Sequence, residues 1–134
     1  VGTTSMRSLE SLYWYGVKII RSKSDIVPFK IESFEPYENG ELISIEKNEA
    51  LNAVLNYMSK KDIEELRGNT EIFIFTGYKF RICDGIITNF HQPKSSLLLL
   101  ISALMGDKWK DIYNFALNND YRFLSYGDSS LLLP

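Results

Sequence analysis

The feature that most constrains the fold is the apolar run LLLLISALM at residues 97–105, which directly follows the polar segment DGIITNFHQPKSS at residues 84–96. The run is far shorter than the roughly 20 residues that are needed to cross a bilayer. Its apolar side chains face every direction of a helix, which predicts a helix that is buried all round. Pro93 holds the chain extended before this helix, and Ser95 or Ser96 is expected to cap it.

Length and composition indicate one packed domain. The chain has 134 residues, with 45% hydrophobic and 13% aromatic residues, which is typical of a globular fold with its own core. The single cysteine, Cys83, cannot form an internal disulfide, and one histidine leaves no zinc cluster to assemble. The sequence shows neither a membrane span nor a secretory leader, so a cytoplasmic protein without a metal is expected.

The net charge of −2 conceals an uneven distribution along the chain. Residues 1–24 carry four basic side chains against one acidic one, residues 25–69 carry ten acidic against five basic, and residues 70–134 carry six of each. Because local patches set the field at a site, a phosphate-bearing partner is expected to meet the ends of the sequence. The alternative is that these charged side chains only form an ordinary solvent-exposed surface.

Helical and strand patterns alternate, which predicts an α/β fold with helices packed on a mixed β-sheet. Helices are predicted from Met6 to Ile20, from Glu46 to Ser59, from Ser95 to the stop at Gly106, and from the cap Asp107 to the NND at 118–120. Strands are predicted in IVPFKIESF (26–34), ELISI (41–45), EIFIFTG (71–77) and YKFRICDG (78–85), with an ENG turn at 38–40 and a final extended segment in YRFLSYGDSSLLL (121–133).

The stretch VGTTS at residues 1–5 is typical of a strand that turns into a helix, with Thr4 or Ser5 as N-cap. Such a strand needs neighbours that the chain does not contain, so a longer protein is expected to continue upstream of residue 1. Backbone N–H groups and three hydroxyls at a helix N-terminus favour an anion. The alternative is simple helix capping.

Two further loops concentrate polar side chains. Asn89, His91 and Lys94 precede the buried helix, which would hold them rigidly; the imidazole could move a proton and the lysine could meet a phosphate or carboxylate. The alternative is a histidine with a structural hydrogen bond. In YRFLSYGD (121–128) the tyrosines could stack on a base and the arginine could bind an anion, the alternative being an aromatic core cluster with an Arg122–Asp128 salt bridge. The two loops are expected to border a common cavity.

Four motifs resemble, in the same order, the C-terminal motifs of the S-adenosylmethionine:tRNA ribosyltransferase-isomerase family of queuosine biosynthesis: VGTTSMRSLE, FTGYKF, DGIITNFHQPKSSLLLLISALMG and YRFLSYGD. The resemblance covers residues 1–10 and about 70–132. Residues 11–69 fit poorly and are expected to form an insertion that is atypical of the family. Gln92 stands where the family favours leucine, and Ser96 where it favours threonine.

The resemblance implies an activity. Members transfer and isomerise the ribosyl moiety of S-adenosylmethionine onto 7-aminomethyl-7-deazaguanine in the tRNA anticodon, giving epoxyqueuosine and releasing adenine and methionine. It implies that His91 transfers a proton while Asn89 and Thr88 orient the substrate. The residues that it implies for substrate binding are Gly2, Thr3, Thr4, Arg7 and Lys94 toward carboxylate or phosphate, and Tyr121, Arg122, Tyr126 and Asp128 around the nucleoside.

The family resemblance also implies a larger architecture of two domains, a discontinuous α/β part and an inserted β-barrel. Residues 1–134 are then expected to be a single C-terminal α/β fragment, inactive in isolation. An exposed sheet edge is expected to let the fragment pair as a homodimer. The competing hypothesis is a non-catalytic tRNA-binding or protein-interaction module on the same scaffold, and a further one treats residues 11–69 as a partner-docking insertion.

Overall fold

The computed structural model describes residues 2–38 and 44–134. Its helices and strands follow in the order α1 Thr3–Arg21, β1 Lys30–Ile31, α2 Glu35–Glu38, α3 Lys47–Lys61, β2 Asn69–Thr70, β3 Ile86–Asn89, α4 Ser96–Met105, α5 Lys108–Asn118 and β4 Ser129–Leu132. The predicted α/β class is confirmed. Both strand orientations occur in the described residues, as one parallel and one antiparallel two-stranded sheet. The centre of the predicted ENG turn and most of ELISI lie outside the described residues.

The chain divides into two compact units, which we call the terminal unit (Val1–Met6 with Ile74–Pro134) and the middle unit (Arg7–Phe73). Each unit has buried hydrophobic residues of its own. The buried side chains of the terminal unit include Met6, Ile74, Ile86, Phe90, Leu100, Ile101, Tyr113 and Leu132, and those of the middle unit include Tyr13, Trp14, Tyr15, Val17, Ile31, Ala50, Val54 and Ile72.

In the middle unit, β1 and β2 pair in parallel, with Ile31 opposite Thr70. The strand predicted for EIFIFTG (71–77) is wrong, because these residues form no regular strand. The backbone N–H groups of Glu71 and Phe73 still donate hydrogen bonds to the carbonyls of Ile31 and Ser33, at 2.9 and 3.1 Å. The ladder stops because the partner segment turns into α2 at Glu35. Helix α3 confirms the helix predicted for Glu46–Ser59 and extends it by two residues.

Helix α1 begins at Thr3, two to three residues earlier than predicted. The N–H of Met6 donates to the carbonyl of Gly2 at 2.9 Å, so Gly2 precedes the first turn and the prediction of Thr4 or Ser5 as N-cap is wrong. Farther along the helix, within the middle unit, a Cβ on Gly16 would collide with the backbone carbonyl of Ala50 in α3. Glycine at this position therefore allows the two helices to approach closely.

The terminal unit contains the antiparallel pair β3–β4, in which Ile86 lies opposite Leu132 and Asn89 opposite Ser129. Helix α4 begins as predicted: the Ser95 side chain accepts a hydrogen bond from the Leu98 N–H at 3.3 Å. The prediction that α4 is buried on all sides is wrong for its first turns, where the Leu99 side chain is 41% exposed. The strand predicted for residues 78–85 is also wrong; this segment is irregular, although Tyr78 is buried.

The turn between α4 and α5 follows the predicted stop signal. Gly106 takes a φ of +56°, a conformation that favours glycine because it has no Cβ. Asp107 occupies the N-cap position of α5 without a side-chain capping bond. Within residues 2–38 and 44–134, no helix combines the length and apolar character of a membrane span.

Candidate functional site

The centre of the candidate site is the end of strand β3. Strand alternation directs Thr88 to the buried side, while Ile87 before it is exposed. The Thr88 Oγ1 atom lies 2.9 Å from Nε2 of His91, the only histidine of the chain. Ser130 on β4 donates from its hydroxyl to the Thr88 carbonyl at 3.1 Å. Strand pairing therefore fixes the threonine that holds the imidazole.

The electrostatic environment of His91 favours a neutral ring. Burial lowers the pKa of His91 below its ordinary value of 6.5, because the charged form loses solvation. The backbone N–H of His91 donates to the Tyr113 hydroxyl at 3.1 Å, and burial raises the pKa of that tyrosine, so it stays protonated. A neutral imidazole with a hydroxyl on Nε2 has one ring nitrogen that accepts a proton and one that donates it.

Asn89 links the histidine segment to the chain's tail. Its side-chain amide donates to the carbonyl of Leu124 at 3.0 Å and to the carbonyl of Gly127 at 3.2 Å. The N–H of Leu124 in turn donates to the carbonyl of Phe90 at 2.9 Å. The predicted proximity of the histidine loop and the tyrosine-rich tail is therefore confirmed.

The tail loop is closed by Asp128. Its carboxylate accepts from the Arg122 N–H at 2.7 Å, and its own N–H donates to the Arg122 carbonyl at 2.8 Å. The Arg122 guanidinium approaches the same carboxylate to 3.8 Å in an exposed ion pair. Tyr121 packs edge-on against Phe90 with ring centroids 5.6 Å apart, whereas Tyr126 is 96% exposed. The aromatic cluster and the Arg122–Asp128 ion pair, which together are the structural alternative to a binding loop, are both present.

An open cavity of ≈ 670 Å³ adjoins this cluster. Phe90 and Tyr121 both line it, so the two loops border one cavity as expected. The remaining lining is mainly apolar and comes from α5 and β4, including Phe115 and Leu131. His91 itself stands outside this lining.

The other predicted binding residues lie at the helix starts. Lys94 is exposed and lies in a turn before α4 with a φ of +65°. Thr3 is half-buried, and Thr4 and Gly2 are exposed. Arg7, which belongs to the middle unit, has buried Nε and Nη2 atoms with no hydrogen-bond partner among the described residues. Unpaired buried donors cost about 1–3 kcal/mol each, so this guanidinium is suited to receive an anion.

Sequence reasoning missed two contributors to the site. Tyr113 was predicted only as part of the helix that follows Asp107, and Ser130 only as part of the final extended segment. Their hydroxyls bond the backbone of His91 and Thr88, respectively, which a pattern of apolar residues does not reveal. Among the residues that the structure describes, no group of three or more metal-ligating side chains is placed to hold a metal ion.

Taken with this geometry, comparison with known proteins gives the class of the chain. The family model described as "Queuosine biosynthesis protein" matches residues 1–132, and the chain belongs to this family.

Its curated relatives include proteins named S-adenosylmethionine:tRNA ribosyltransferase-isomerase. The one from Cereibacter sphaeroides is 51% identical over 86 residues, covering 63% of this chain and 25% of the relative. The relative from Dinoroseobacter shibae is 60% identical over 68 residues, which cover 50% of this chain and 19% of the relative. The relative from Erythrobacter litoralis is 58% identical over 73 residues, which cover 54% of this chain and 21% of the relative. The chain thus spans about a fifth to a quarter of these relatives.

A similar solved structure is the crystal structure of S-adenosylmethionine tRNA ribosyltransferase from Thermotoga maritima. It is 34% identical, covers 61% of this chain and 30% of that chain, and has a TM-score of 0.49.

Proposed function

We propose that this chain is the C-terminal part of a tRNA-modifying transferase. The enzyme transfers the ribosyl moiety of S-adenosylmethionine onto 7-aminomethyl-7-deazaguanine in tRNA and isomerises it to epoxyqueuosine, with release of adenine and methionine. The observation that carries the proposal is the identity of 51–60% over 68–86 residues to relatives named S-adenosylmethionine:tRNA ribosyltransferase-isomerase. No metal takes part in the proposed reaction.

His91 is the proposed proton-transfer residue. Its lowered pKa keeps the imidazole neutral near pH 7, which makes it able to accept a proton from the substrate. Thr88 orients the ring through the 2.9 Å contact to Nε2 and is itself fixed by Ser130. The same ring, once protonated, can return a proton to the departing adenine.

Asn89 is proposed as a positioning residue. Its amide donates to two backbone carbonyls of the tail, at 3.0 and 3.2 Å, and so keeps the aromatic side chain of Tyr121 beside Phe90. Substrate orientation by Asn89 then acts through the tail loop. Asp128 has the same kind of task, because it closes that loop onto Arg122.

Further substrate contacts are proposed at the helix starts and in the tail loop. Arg7 and Lys94 serve a carboxylate or phosphate, and the Gly2–Thr4 start of α1 serves an anion through its backbone N–H groups. Tyr121 and Tyr126 offer rings for a nucleoside, and Arg122 keeps exposed N–H groups for a phosphate.

The proposal includes an assembly. The chain supplies a C-terminal α/β portion, is inactive without the remainder of the enzyme, and acts in the cytoplasm on tRNA. Residues 11–69 form an insertion, and the compactness of the middle unit, Arg7–Phe73, supports an independently packed segment. Among the described residues β3 and β4 form a sheet of two strands, and the outer edges of a two-stranded sheet support pairing of isolated fragments as a homodimer.

The test uses the full-length protein that contains this chain. Incubation with S-adenosylmethionine and precursor tRNA should produce the epoxide-bearing nucleoside, detected by mass analysis of digested tRNA. His91→Ala should lower turnover by about 10²–10⁴-fold with retained folding, whereas Asn114→Ala, an exposed change on α5, should leave it unaltered. Tight tRNA binding without product would instead identify the chain as a non-catalytic tRNA-binding module.

A further inference from the structure

A second cavity of the terminal unit, of ≈ 390 Å³, lies along α4 and the start of α5; we call it the α4–α5 groove. Its polar lining includes Lys94, Lys110 and Asp107, and Trp109 supplies an aromatic wall. The volume falls in the range of about 300–1,000 Å³ that is typical of small-molecule sites. The groove shares no lining residue with the cavity beside Phe90.

The charges of the groove favour an anion. Within the described ranges 2–38 and 44–134, neither Lys94 nor Lys110 takes part in an ion pair. Both lysines are exposed residues, and with Asp107 they give the lining of the groove two basic side chains and one acidic one, a formal charge of +1. Unpaired ammonium groups at a concave surface raise the local concentration of anions.

The backbone holds Lys94 at the groove in a strained conformation. Its φ of +65° is left-handed, a region that disfavours any residue with a Cβ. Pro93 precedes it and the N-cap Ser95 follows it, so the turn is constrained on both sides. Backbone strain of this kind concentrates at ligand sites. A glycine at position 94 could adopt the same φ without strain, but it would place no positive charge at the groove.

Hydroxyl groups of the groove retain hydrogen-bonding capacity. Ser102 donates its one hydroxyl hydrogen to the carbonyl of Leu99 at 2.8 Å, so Thr76, whose oxygen lies 3.1 Å from that of Ser102, must be the donor between the two. The Thr76 oxygen then keeps lone pairs that can accept an N–H. Ser95 accepts from the Leu98 N–H, which leaves its hydroxyl hydrogen for an anionic oxygen.

The indole of Trp109 is half-buried, and its orientation is held by an edge-on contact with Tyr113 at a centroid distance of 5.8 Å. Proteins bind nucleotide units by combining a fixed aromatic ring with cationic side chains. The ring stacks on the base, and the cationic side chains bind the phosphate. The accepting oxygen of Thr76 adds a partner for a base N–H.

We propose that the α4–α5 groove binds one nucleotide unit, with its base against Trp109 and its phosphate between Lys94 and Lys110. The inference deepens the proposed function, on which it rests for the assumption that the nucleotide belongs to an RNA substrate. Binding in the groove requires no turnover, so its test is separate from the test of the reaction.

The test follows the indole N–H signals of the chain by NMR. The chain has two tryptophans, and Trp14→Phe assigns the signal of Trp109. The probes are adenosine 5′-monophosphate, adenosine, inorganic phosphate and a short single-stranded oligoribonucleotide. Adenosine 5′-monophosphate or the oligoribonucleotide should shift the Trp109 signal at concentrations at which adenosine and phosphate have little effect. Binding of the oligoribonucleotide alone would identify the occupant as a nucleotide within RNA.

Charge variants provide the matched comparison. Lys94→Ala and Lys110→Ala should each weaken binding about tenfold, the loss that is typical of one charge-assisted hydrogen bond. Lys108→Ala, which removes an exposed lysine on α5 outside the groove lining, should change it less than about twofold. Circular dichroism checks that each variant is folded. The inference is overturned if neither nucleotide probe shifts Trp109, or if all three lysine variants weaken binding equally.

Discussion

The Asn89 side chain donates a 3.0 Å hydrogen bond to the carbonyl of Leu124, a residue 35 positions later that takes a left-handed φ of +71°. The same amide donates to the carbonyl of Gly127, and Leu124 donates its N–H to Phe90. The polar end of β3 and the tail loop thus form one hydrogen-bonded structure. The position of His91 depends on this structure, because Phe90 precedes it directly.

Removing this connection should destabilise the chain. Asn89→Ala deletes two hydrogen bonds to backbone carbonyls and should lower the free energy of unfolding by about 2 kcal/mol. Asn89→Asp should cost at least as much, since a carboxylate would face two carbonyl oxygens. Urea denaturation measures both, with the exposed Asn114→Ala as control. If Asn89→Ala lowers the free energy of unfolding by less than about 0.5 kcal/mol, the two hydrogen bonds of Asn89 do not stabilise the chain as predicted.

The titration of His91 should be visible directly, because the chain has one histidine and hence one Hε1 resonance. Burial lowers the pKa of His91 in the folded chain, so we expect a value below the 6.5 of the unfolded chain. NMR in native buffer and in urea compares the two states. A folded-state pKa equal to or above the denatured one would refute the prediction.

The same shift makes stability depend on pH. As the pH falls through about 6.5, the unfolded chain binds a proton that the folded chain resists, so the free energy of unfolding falls. The fall ends once the pH is below the folded-state pKa. His91→Gln should remove this component of the slope between about pH 7 and the folded-state pKa, and urea denaturation across that window checks it.

The left-handed residue in the tail should tolerate glycine. Leu124→Gly removes a Cβ that is strained at a φ of +71° and exposes little, since the Leu124 side chain is already 48% exposed. We expect the free energy of unfolding to rise, by up to about 1 kcal/mol. Leu131→Gly, on the exposed face of β4, should lower it by about 0.5–1 kcal/mol. Equal losses in both variants would exclude strain at Leu124.

Gly127 should not tolerate a side chain. A Cβ there would collide with the backbone carbonyl of Arg122, which cannot move without opening the loop that Asp128 closes. Gly127→Ala should therefore cost about 2 kcal/mol or more, measured by urea denaturation. Gly2→Ala is the comparison without a clash, since its Cβ would meet open space, and should cost only the ~0.5–1 kcal/mol of a poorer N-cap. Wild-type stability of Gly127→Ala would show that the loop can widen enough to admit a methyl group.

Local signals predicted the helices well. Ser95 before LLLLISALM, Gly106 after it and the apolar spacing of residues 46–59 each act within one or two turns, and the structure confirms α3, the start of α4 and its stop. Strand predictions were less successful. EIFIFTG has strand composition, but its partner segment turns into α2 after Ser33, so the ladder ends at Thr70.

The candidate site divides in the same way. The Thr88–His91 contact spans three residues and follows from a strand that ends in a tight loop, so the sequence by itself brought these two groups together. It also determined the Ser95 cap and the Gly106 stop of α4, and the chemistry available at each loop. Only the tertiary structure decided that Asn89 holds Leu124 and Gly127, that Tyr113 supports His91, and that Trp109 and Lys110 adjoin Lys94. The physical reason is range: capping and helical spacing depend on neighbours along the chain, whereas these contacts join residues 15 to 38 positions apart and form only when the terminal unit folds.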